Sequence, residues 1–142
     1  MEHKESFSYN EYSDYLQMIQ DVINRMSTNS ALFKGFTATI VAGALLALLS
    51  DLSLWAAVVA LLPILCFLGL DLYYLQLEKR YRYLFEQVRK GQHSDVFLME
   101  PPPLKETDVT LSQCFKSISI WGFYLPQIVT LIIVIIIICC NR

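Results

Sequence analysis

The sequence predicts an all-α membrane protein with three transmembrane helices, the first two forming a long helical hairpin extended into the cytoplasm. Three observations predict this class. The 142-residue chain is 55% hydrophobic and only 17% charged. Its apolar residues fall in blocks, as is typical of membrane proteins. Two amphipathic helical patterns also adjoin the first two of these blocks.

The first 30 residues are expected to form a cytoplasmic amphipathic helix. Ser8 and Glu11 have the spacing of a capping box, which satisfies backbone N–H groups at a helix start. Apolar residues then recur at steps of three and four, at Tyr9, Tyr12, Leu16, Ile19, Ile23 and Met26. The stripe continues through Ser30 and Phe33, so we expect one helix from about residue 8 to residue 50.

Residues 31–70 are predicted to form a transmembrane hairpin with spans at 31–50 and 54–70. Residues 35–50 carry no charge, and the first span extends to residue 31 if the Lys34 amine reaches the lipid headgroups. The second span has 17 residues without a charge, about 26 Å as a helix, against a hydrocarbon core of about 30 Å. A tight turn at 51–53 joins the two spans.

Residues 71–116 are predicted to form a cytoplasmic helix and a proline-containing loop. A second apolar seam runs through Leu70, Tyr74, Leu77, Tyr81, Leu84 and Val88. Arg89, Lys90 and Gly91 are typical of a helix end. We therefore expect a return helix over 54–90 whose seam pairs with that of the first helix in an antiparallel stalk.

The loop follows this return helix. Pro101 to Pro103 forbid a continuous helix and favour an extended polyproline linker. The preceding segment DVFLM, at 95–99, is either a short strand or a docking peptide. The third transmembrane helix is predicted at 117–140, because no charge occurs between Ser117 and Asn141.

The distribution of lysine and arginine predicts the orientation of the chain. Ten of the eleven lie at or before the start of the first span or between residues 71 and 116. None lies in the turn at 51–53, and one, Arg142, follows the third span. Since positive residues concentrate on the cytoplasmic side, we expect a cytoplasmic N-terminus and a C-terminus outside.

The first span carries a stripe of small residues. Gly35, Thr39, Gly43 and Ala47 lie four apart, which lets another helix approach closely. That helix belongs either to the second span of the same chain or to another subunit. Because three thin spans enclose little interior, we expect a homo-oligomer with closed cyclic symmetry.

The third span carries a polar face at Gln127 and Thr130, with Val134 and Ile137 on nearly the same side. A polar group in hydrocarbon is costly unless it meets a partner helix or water, so this face is expected to point inward. In an oligomer these four residues are predicted to line a pore that Val134 and Ile137 close by dewetting. The alternative is an interhelical hydrogen bond without a pore. Pro126 predicts a kink in both cases.

Asp71 stands at the cytoplasmic edge of the second span, at a depth similar to that of Lys34. A carboxylate near the membrane is costly unless it is paired. We expect Asp71 either to be structural and paired with Lys34, or to take part in a gating ion pair.

The helix after the second span is basic and rich in tyrosine. Residues 79–90 contain five cations and one acid, a net charge of +4 in a chain of formal net charge −2. Interleaved tyrosines and cations are typical both of membrane anchoring and of single-stranded nucleic-acid binding. The candidate ligand-binding residues are Lys79, Arg80, Arg82, Tyr83, Arg89 and Lys90. The alternative is a solvated face that anchors the helix at the membrane.

The sequence contains no catalytic or metal-binding motif. It lacks a P-loop, an HExxH motif and a glycine-rich phosphate cradle. Its four cysteines form neither a CxxC pair nor the Cys/His spacing of a zinc site. We therefore expect no enzyme, no cofactor and no metal site.

Three segments give the chain a resemblance to a known group. They are VINRMSTNSALFKGF at 22–36, LDLYYLQLEKRYRYLFEQVRKG at 70–91 and SDVFLME at 94–100, about a third of the chain. The chain resembles small three-span membrane effectors of bacterial anti-phage systems in which a nucleotidyltransferase makes a nucleotide signal. It is most similar to the channel subunit of the Hailong type.

The resemblance implies an oligomeric ion channel of the bacterial inner membrane, held shut by single-stranded oligodeoxyadenylate and opened when that signal is lost. It also implies a nucleotidyltransferase partner encoded alongside. It supplies no site residues. The expected function is a ligand-gated channel controlled by a nucleotide or single-stranded oligonucleotide bound on the cytoplasmic side. The alternative is a non-conducting membrane anchor or adaptor that docks a soluble partner through its stalk.

Overall fold

A computed structural model describes residues 9–49, 54–91, 99–107 and 109–140, and these residues form only helices and connecting turns. In chain order the helices are Tyr9–Leu49 (α1), Leu54–Arg89 (α2), Leu104–Thr107 (α3), Leu111–Phe115 (α4) and Ile118–Cys140 (α5). The predicted all-helical class is confirmed. The capping residue Ser8, the turn at 51–53 and most of the segment at 95–99 lie outside the described residues.

α1 and α2 pack along each other in antiparallel orientation. Near the start of α1, the Tyr12 hydroxyl donates a 2.6 Å hydrogen bond to the carbonyl of Val88, near the end of α2. Midway along both helices, the Ser30 hydroxyl donates to the Asp71 carboxylate. Later residues of α1 therefore contact earlier residues of α2. This is the antiparallel pairing that the two seams predict.

An apolar core holds together the stalk, which we define as residues 9–29 of α1 and 75–91 of α2. The buried core residues are Tyr15, Ile19, Ile23, Leu84 and Val88. Four of them belong to the predicted seams, so the pairing of those seams is confirmed in the stalk. Tyr15 is an addition, because it lies one position before the predicted Leu16, which is only partly buried.

α2 ends at a glycine. The φ angle of Gly91 is +68°, in the left-handed region that favours glycine at a helix end. Its N–H donates to the carbonyl of Val88 at 2.9 Å. Both hairpin helices begin and end within one residue of the predicted bounds, 8–50 and 54–90.

The buried face of α2 departs from the predicted seam near its middle. Leu70 is 43% exposed, whereas Asp71 is completely buried. The prediction that Leu70 belongs to the seam is therefore wrong. A buried carboxylate needs charged and hydrogen-bonding partners, which α1 supplies, whereas a leucine is stable on an apolar outer surface.

α5 packs against both hairpin helices through a second apolar core. Its members are Val41, Ile64, Ile120, Tyr124 and Leu131. The three residues of this core that come from α5 are also the buried residues of that helix. From Ile132 to Cys140 no residue of α5 is buried, so α5 is held mainly by its first half.

Three of the helices are long and apolar enough to cross a membrane. The candidate spans are Asn10–Ala47, Leu61–Arg89 and Ile118–Cys140. In the most apolar window of the second and of the third, only 11% of the residues are buried inside the chain. The outer surface is therefore largely apolar, and three such helices suggest a membrane location.

Replacing Leu84 with alanine should destabilise the stalk. Leu84 is 1% exposed, and truncating a buried leucine costs about 2–5 kcal/mol of unfolding free energy. Chemical unfolding of the protein in lipid nanodiscs, followed by far-UV circular dichroism, should show a lower midpoint. The matched control is Met18→Ala, since Met18 is 54% exposed. Equal midpoints for the two variants would contradict a stalk core at Leu84.

Candidate functional site

A polar cluster around a buried carboxylate joins the three long helices, with its α5 serine, Ser119, at the exposed edge. We call it the three-helix junction and define it as Ser30 and Lys34 of α1, Asp71 of α2, and Ser119 and Tyr124 of α5. Asp71 is completely buried, and Ser30 is 8% exposed. The junction therefore places a carboxylate where only neighbouring side chains can solvate it.

Lys34 connects all three helices through its ammonium group. Nζ lies 3.0 Å from Asp71 Oδ2 in an ion pair whose angle falls outside hydrogen-bond geometry. Nζ also donates to Ser30 Oγ at 2.9 Å and to Ser119 Oγ at 3.3 Å. The Ser30 hydroxyl in turn donates to Asp71 Oδ1. The predicted pairing of Asp71 with Lys34 is confirmed, and two serines extend it.

Tyr124 gives α5 a second contact with this region of α2. Its hydroxyl donates a 3.4 Å hydrogen bond to the carbonyl of Phe67 and interacts with the side chains of Thr37 and Asp71. Thr37 is completely buried, and its hydroxyl donates to the Phe33 carbonyl at 2.7 Å. Tyr124 is 1% exposed, so one aromatic side chain contributes both to the apolar core and to the junction.

The charges of the junction neutralise each other in a water-poor setting. Removing one partner of a buried ion pair leaves the other charge without compensation and costs about 3–5 kcal/mol. The Lys34 ammonium also binds Ser119. Loss of Lys34 would therefore weaken the packing of α5 against the hairpin as well as the packing of α1 against α2. The junction therefore fixes how α1, α2 and α5 sit against one another.

The predicted pore-lining residues lie on α5 in mixed environments. Gln127 is half-buried, and its Oε1 is buried with no hydrogen-bond donor in the described part of the chain. Thr130 is exposed, and its hydroxyl donates to the Pro126 carbonyl at 2.8 Å. Val134 is half-buried, and Ile137 is 52% exposed. α5 continues as one helix through Pro126.

The stripe of small residues faces away from the other helices of the chain. Gly35, Thr39 and Gly43 are exposed, and Ala47 is half-buried. A Cβ atom added at either glycine meets no atom within 4 Å. The alternative in which these residues pack against α2 is therefore wrong for the three exposed positions. α1 turns the side that carries Thr37 toward the interior instead.

Two of the candidate ligand-binding cations are neutralised within α2. Arg82 Nη2 lies 2.8 Å from Glu78 Oε1, and Arg89 Nη2 lies 2.8 Å from Glu86 Oε2. Both arginine side chains are exposed, at 61% and 60%. Exposed ion pairs contribute only about 0–1 kcal/mol, so an anionic ligand can compete for these guanidinium groups.

Arg80 has a different environment. Its Nε donates to the Pro102 carbonyl at 2.9 Å, and its Nη2 donates to the Pro101 carbonyl at 3.1 Å. These carbonyls belong to the segment that precedes and includes α3, which we call the strap and define as residues 99–109. The guanidinium group therefore binds backbone carbonyls of the strap. The prolines there have no backbone N–H group, so they cannot donate the hydrogen bonds of a regular helix.

Two further side chains of α2 bind the strap. The Tyr81 hydroxyl donates to the Met99 carbonyl at 3.2 Å, and Gln76 Nε2 donates to the Val109 carbonyl at 3.1 Å. All of these contacts run from α2 side chains to strap carbonyls. The strap is thus fastened to α2 at both of its ends, Met99 and Val109, and the part of the predicted linker before residue 99 lies outside the described residues.

The remaining ligand-binding candidates carry fewer contacts. Lys79 is half-buried near Cys114 of α4, whereas Tyr83 and Lys90 are exposed. Burial raises the pKa of the Cys114 thiol, and the positive charge of Lys79 opposes this rise. In the ranges that the structure describes, neither lysine forms an ion pair. Five of the six candidates lie in α2 and Lys90 directly follows it, but the six occupy distinct environments.

The junction contains two residues, Ser119 and Tyr124, that the sequence analysis missed. A hydroxyl in a strongly apolar segment indicates a contact between helices, because a buried tyrosine usually finds a hydrogen-bond partner. By contrast, the pore-lining candidates, the small-residue stripe and the basic segment lie apart from one another. Each of these three groups belongs to a different long helix.

No protein-family model, curated protein or solved structure matches this chain.

Replacing Arg80 with glutamine should loosen the strap. The change weakens two hydrogen bonds to carbonyls, and hydrogen bonds from charged donors contribute about 1.5–3 kcal/mol each. Amide hydrogen exchange in residues 99–109, measured by mass spectrometry, should accelerate roughly tenfold or more. Arg82→Gln is the matched control, because Arg82 pairs with Glu78. Equal exchange in both variants would exclude Arg80 as the fastening residue.

Proposed function

We propose that the chain is an oligomeric ligand-gated ion channel of the bacterial inner membrane and an effector of anti-phage defence. The defence role and the bacterial inner membrane rest on the sequence resemblance described above, and the observation that carries the channel is the Gln127 amide, whose Oε1 is buried without a donor in the described chain. An unsatisfied buried acceptor costs about 1–3 kcal/mol. Gln127 as a whole is half-buried, so rotation of its side-chain amide would bring Oε1 to pore water or to a donor of a second subunit and remove that cost, which favours placing α5 beside an aqueous axis.

The exposed small-residue stripe supports assembly of several copies. Gly35 and Gly43 leave open space beside α1, and another helix can approach closely there. Several α5 helices around an axis would then bring Gln127 and Thr130 to a pore. Val134 and Ile137 would form its apolar constriction, which closes when water leaves it.

The exposed cations of α2 support control by an anionic ligand on the cytoplasmic side. Arg82 and Arg89 can exchange their carboxylate partners for phosphates, and Tyr83 is 37% exposed, as base stacking requires. The ligand class is a nucleotide or a single-stranded oligonucleotide such as oligodeoxyadenylate. A nucleotidyltransferase encoded alongside would make the signal. The N-terminus and the stalk are cytoplasmic in this arrangement, and the C-terminus is outside.

Planar-bilayer recording of the purified full chain tests this function. Short single-stranded oligodeoxyadenylate should change the current, and its apparent affinity should fall more than tenfold between about 50 and 200 mM salt, because phosphate contacts release counterions.

Gln127→Leu should change the unit conductance. Ile132→Leu is the control, since Ile132 lies on the opposite side of α5 and is 46% exposed. Absence of current in every condition would favour a non-conducting anchor or adaptor that docks a soluble partner.

Replacing Gly43 with leucine should disrupt the oligomer without disturbing the fold of one chain. A Cβ atom at Gly43 meets no atom of the other helices within 4 Å, but a leucine there would occupy the space that a neighbouring helix needs. Native mass spectrometry of the detergent-solubilised protein should show fewer subunits per particle. Gly69→Leu on α2 is the matched control, because its surroundings are equally open. A monomeric native protein, or equal masses for both variants, would remove the stripe as a subunit contact.

A further inference from the structure

We propose that the three-helix junction is a latch that couples the stalk to α5, so that displacement of α1 against α2 releases the first half of α5. The effect of this latch on current rests on the proposed channel function. Its mechanical part does not, since it concerns contacts within one chain.

Displacement of the stalk reaches the junction because the same helices form both. α1 is continuous from Tyr9 to Leu49, and α2 is continuous from Leu54 to Arg89. Ser30 and Lys34 follow the stalk directly on α1, one helical turn apart. A rotation or slide of α1 against α2 therefore moves both partners of Asp71 together. Few such movements preserve the Ser30 and Lys34 contacts at once, because those contacts engage the two oxygens of one carboxylate.

The junction reaches α5 through the same ammonium group. Lys34 Nζ binds Asp71 of α2 at 3.0 Å and Ser119 of α5 at 3.3 Å. Tyr124, little more than one turn further along α5, packs in the apolar core and donates to the Phe67 carbonyl of α2 at 3.4 Å, and the charge of Asp71 acts on its hydroxyl. Loss of the Asp71 charge therefore acts on two α5 residues at once, one through Lys34 and one directly.

Two features of α5 allow a release of its first half to move its second half. Pro126 lies just beyond the junction residues and cannot donate to the Gly122 carbonyl, which weakens the helix at that point. Beyond Leu131 no residue of α5 is buried, up to Cys140. The second half of α5 is held less firmly by the hairpin than the first, because beyond Leu131 only Val134, Ile135 and Ile138 are half-buried, and its direction depends in part on how the first half is docked. That second half contains Val134 and Ile137, the proposed constriction.

The distance between the stalk and α5 tests the latch in the full chain. Nitroxide labels at Met18 and Ile118, which are 54% and 89% exposed, report that distance by double electron–electron resonance in nanodiscs. The four native cysteines are replaced by serine, and labelled chains are diluted with unlabelled ones to suppress distances between subunits. The native latch should give one narrow distance distribution.

Lys34→Met and Asp71→Asn should each broaden this distribution. We expect the population of chains with α5 released to rise tenfold or more, since each change leaves a buried partner uncompensated. Lys105→Met and Asp21→Asn are matched controls at exposed positions and should keep the native distribution. The double variant Lys34→Met/Asp71→Leu leaves no unpaired charge, so it replaces a single variant that does not fold. It should also broaden the distance distribution, because it removes the polar contacts of the junction.

Each outcome decides the proposal. Native distances in Asp71→Asn or in the double variant overturn the latch, even if the current changes. Broadened distances in these variants together with an altered open probability support both the latch and the channel. Broadened distances with no current from any protein, the native chain included, support the latch and remove the channel function.

Discussion

The buried ion pair between Lys34 and Asp71 is the constraint on which the arrangement of the long helices depends. A charge without water must meet an opposite charge and hydrogen-bonding groups. Asp71 meets that requirement with Ser30 and Lys34 of α1, and Lys34 extends it to Ser119 of α5. Apolar contacts allow many relative positions of three apolar helices. Very few of those positions give all these polar groups their hydrogen-bond and ion-pair partners together.

The distribution of polar and apolar groups follows from the same constraint. Around the three-helix junction the chain buries hydroxyls and charges between helices, while large apolar side chains such as Leu62 and Ile136 remain 68% and 55% exposed. In water this arrangement would be unstable, because apolar area would stay hydrated. In lipid it is favoured, because the polar groups are the ones that must be covered. The stalk reverses the pattern, with an apolar core between Ile19 and Leu84.

The basic segment of α2 shows why net charge alone is a weak guide to a binding surface. Arg80 and Arg82 are two residues apart, yet one binds backbone carbonyls of the strap and the other binds Glu78. The net charge of residues 79–90 leaves out Glu78, which lies just before the segment. The cations available to a ligand are therefore the exposed ones with weak local partners, and Arg80 instead has a structural task.

The sequence by itself predicted the helix end at Gly91, the apolar core of the stalk apart from Tyr15, and Lys34 as the partner of Asp71 if that carboxylate is structural. Helix periodicity, glycine at a helix end and the need to pair a charge are local properties that residue types express directly. Only the tertiary structure decided that Leu70 points outward, that Gly35 and Gly43 face away from α2, and that Tyr124 joins the junction. In a segment that is apolar on every side, hydrophobicity does not mark which face is inside. That choice is made by the polar contacts between helices that are distant in sequence.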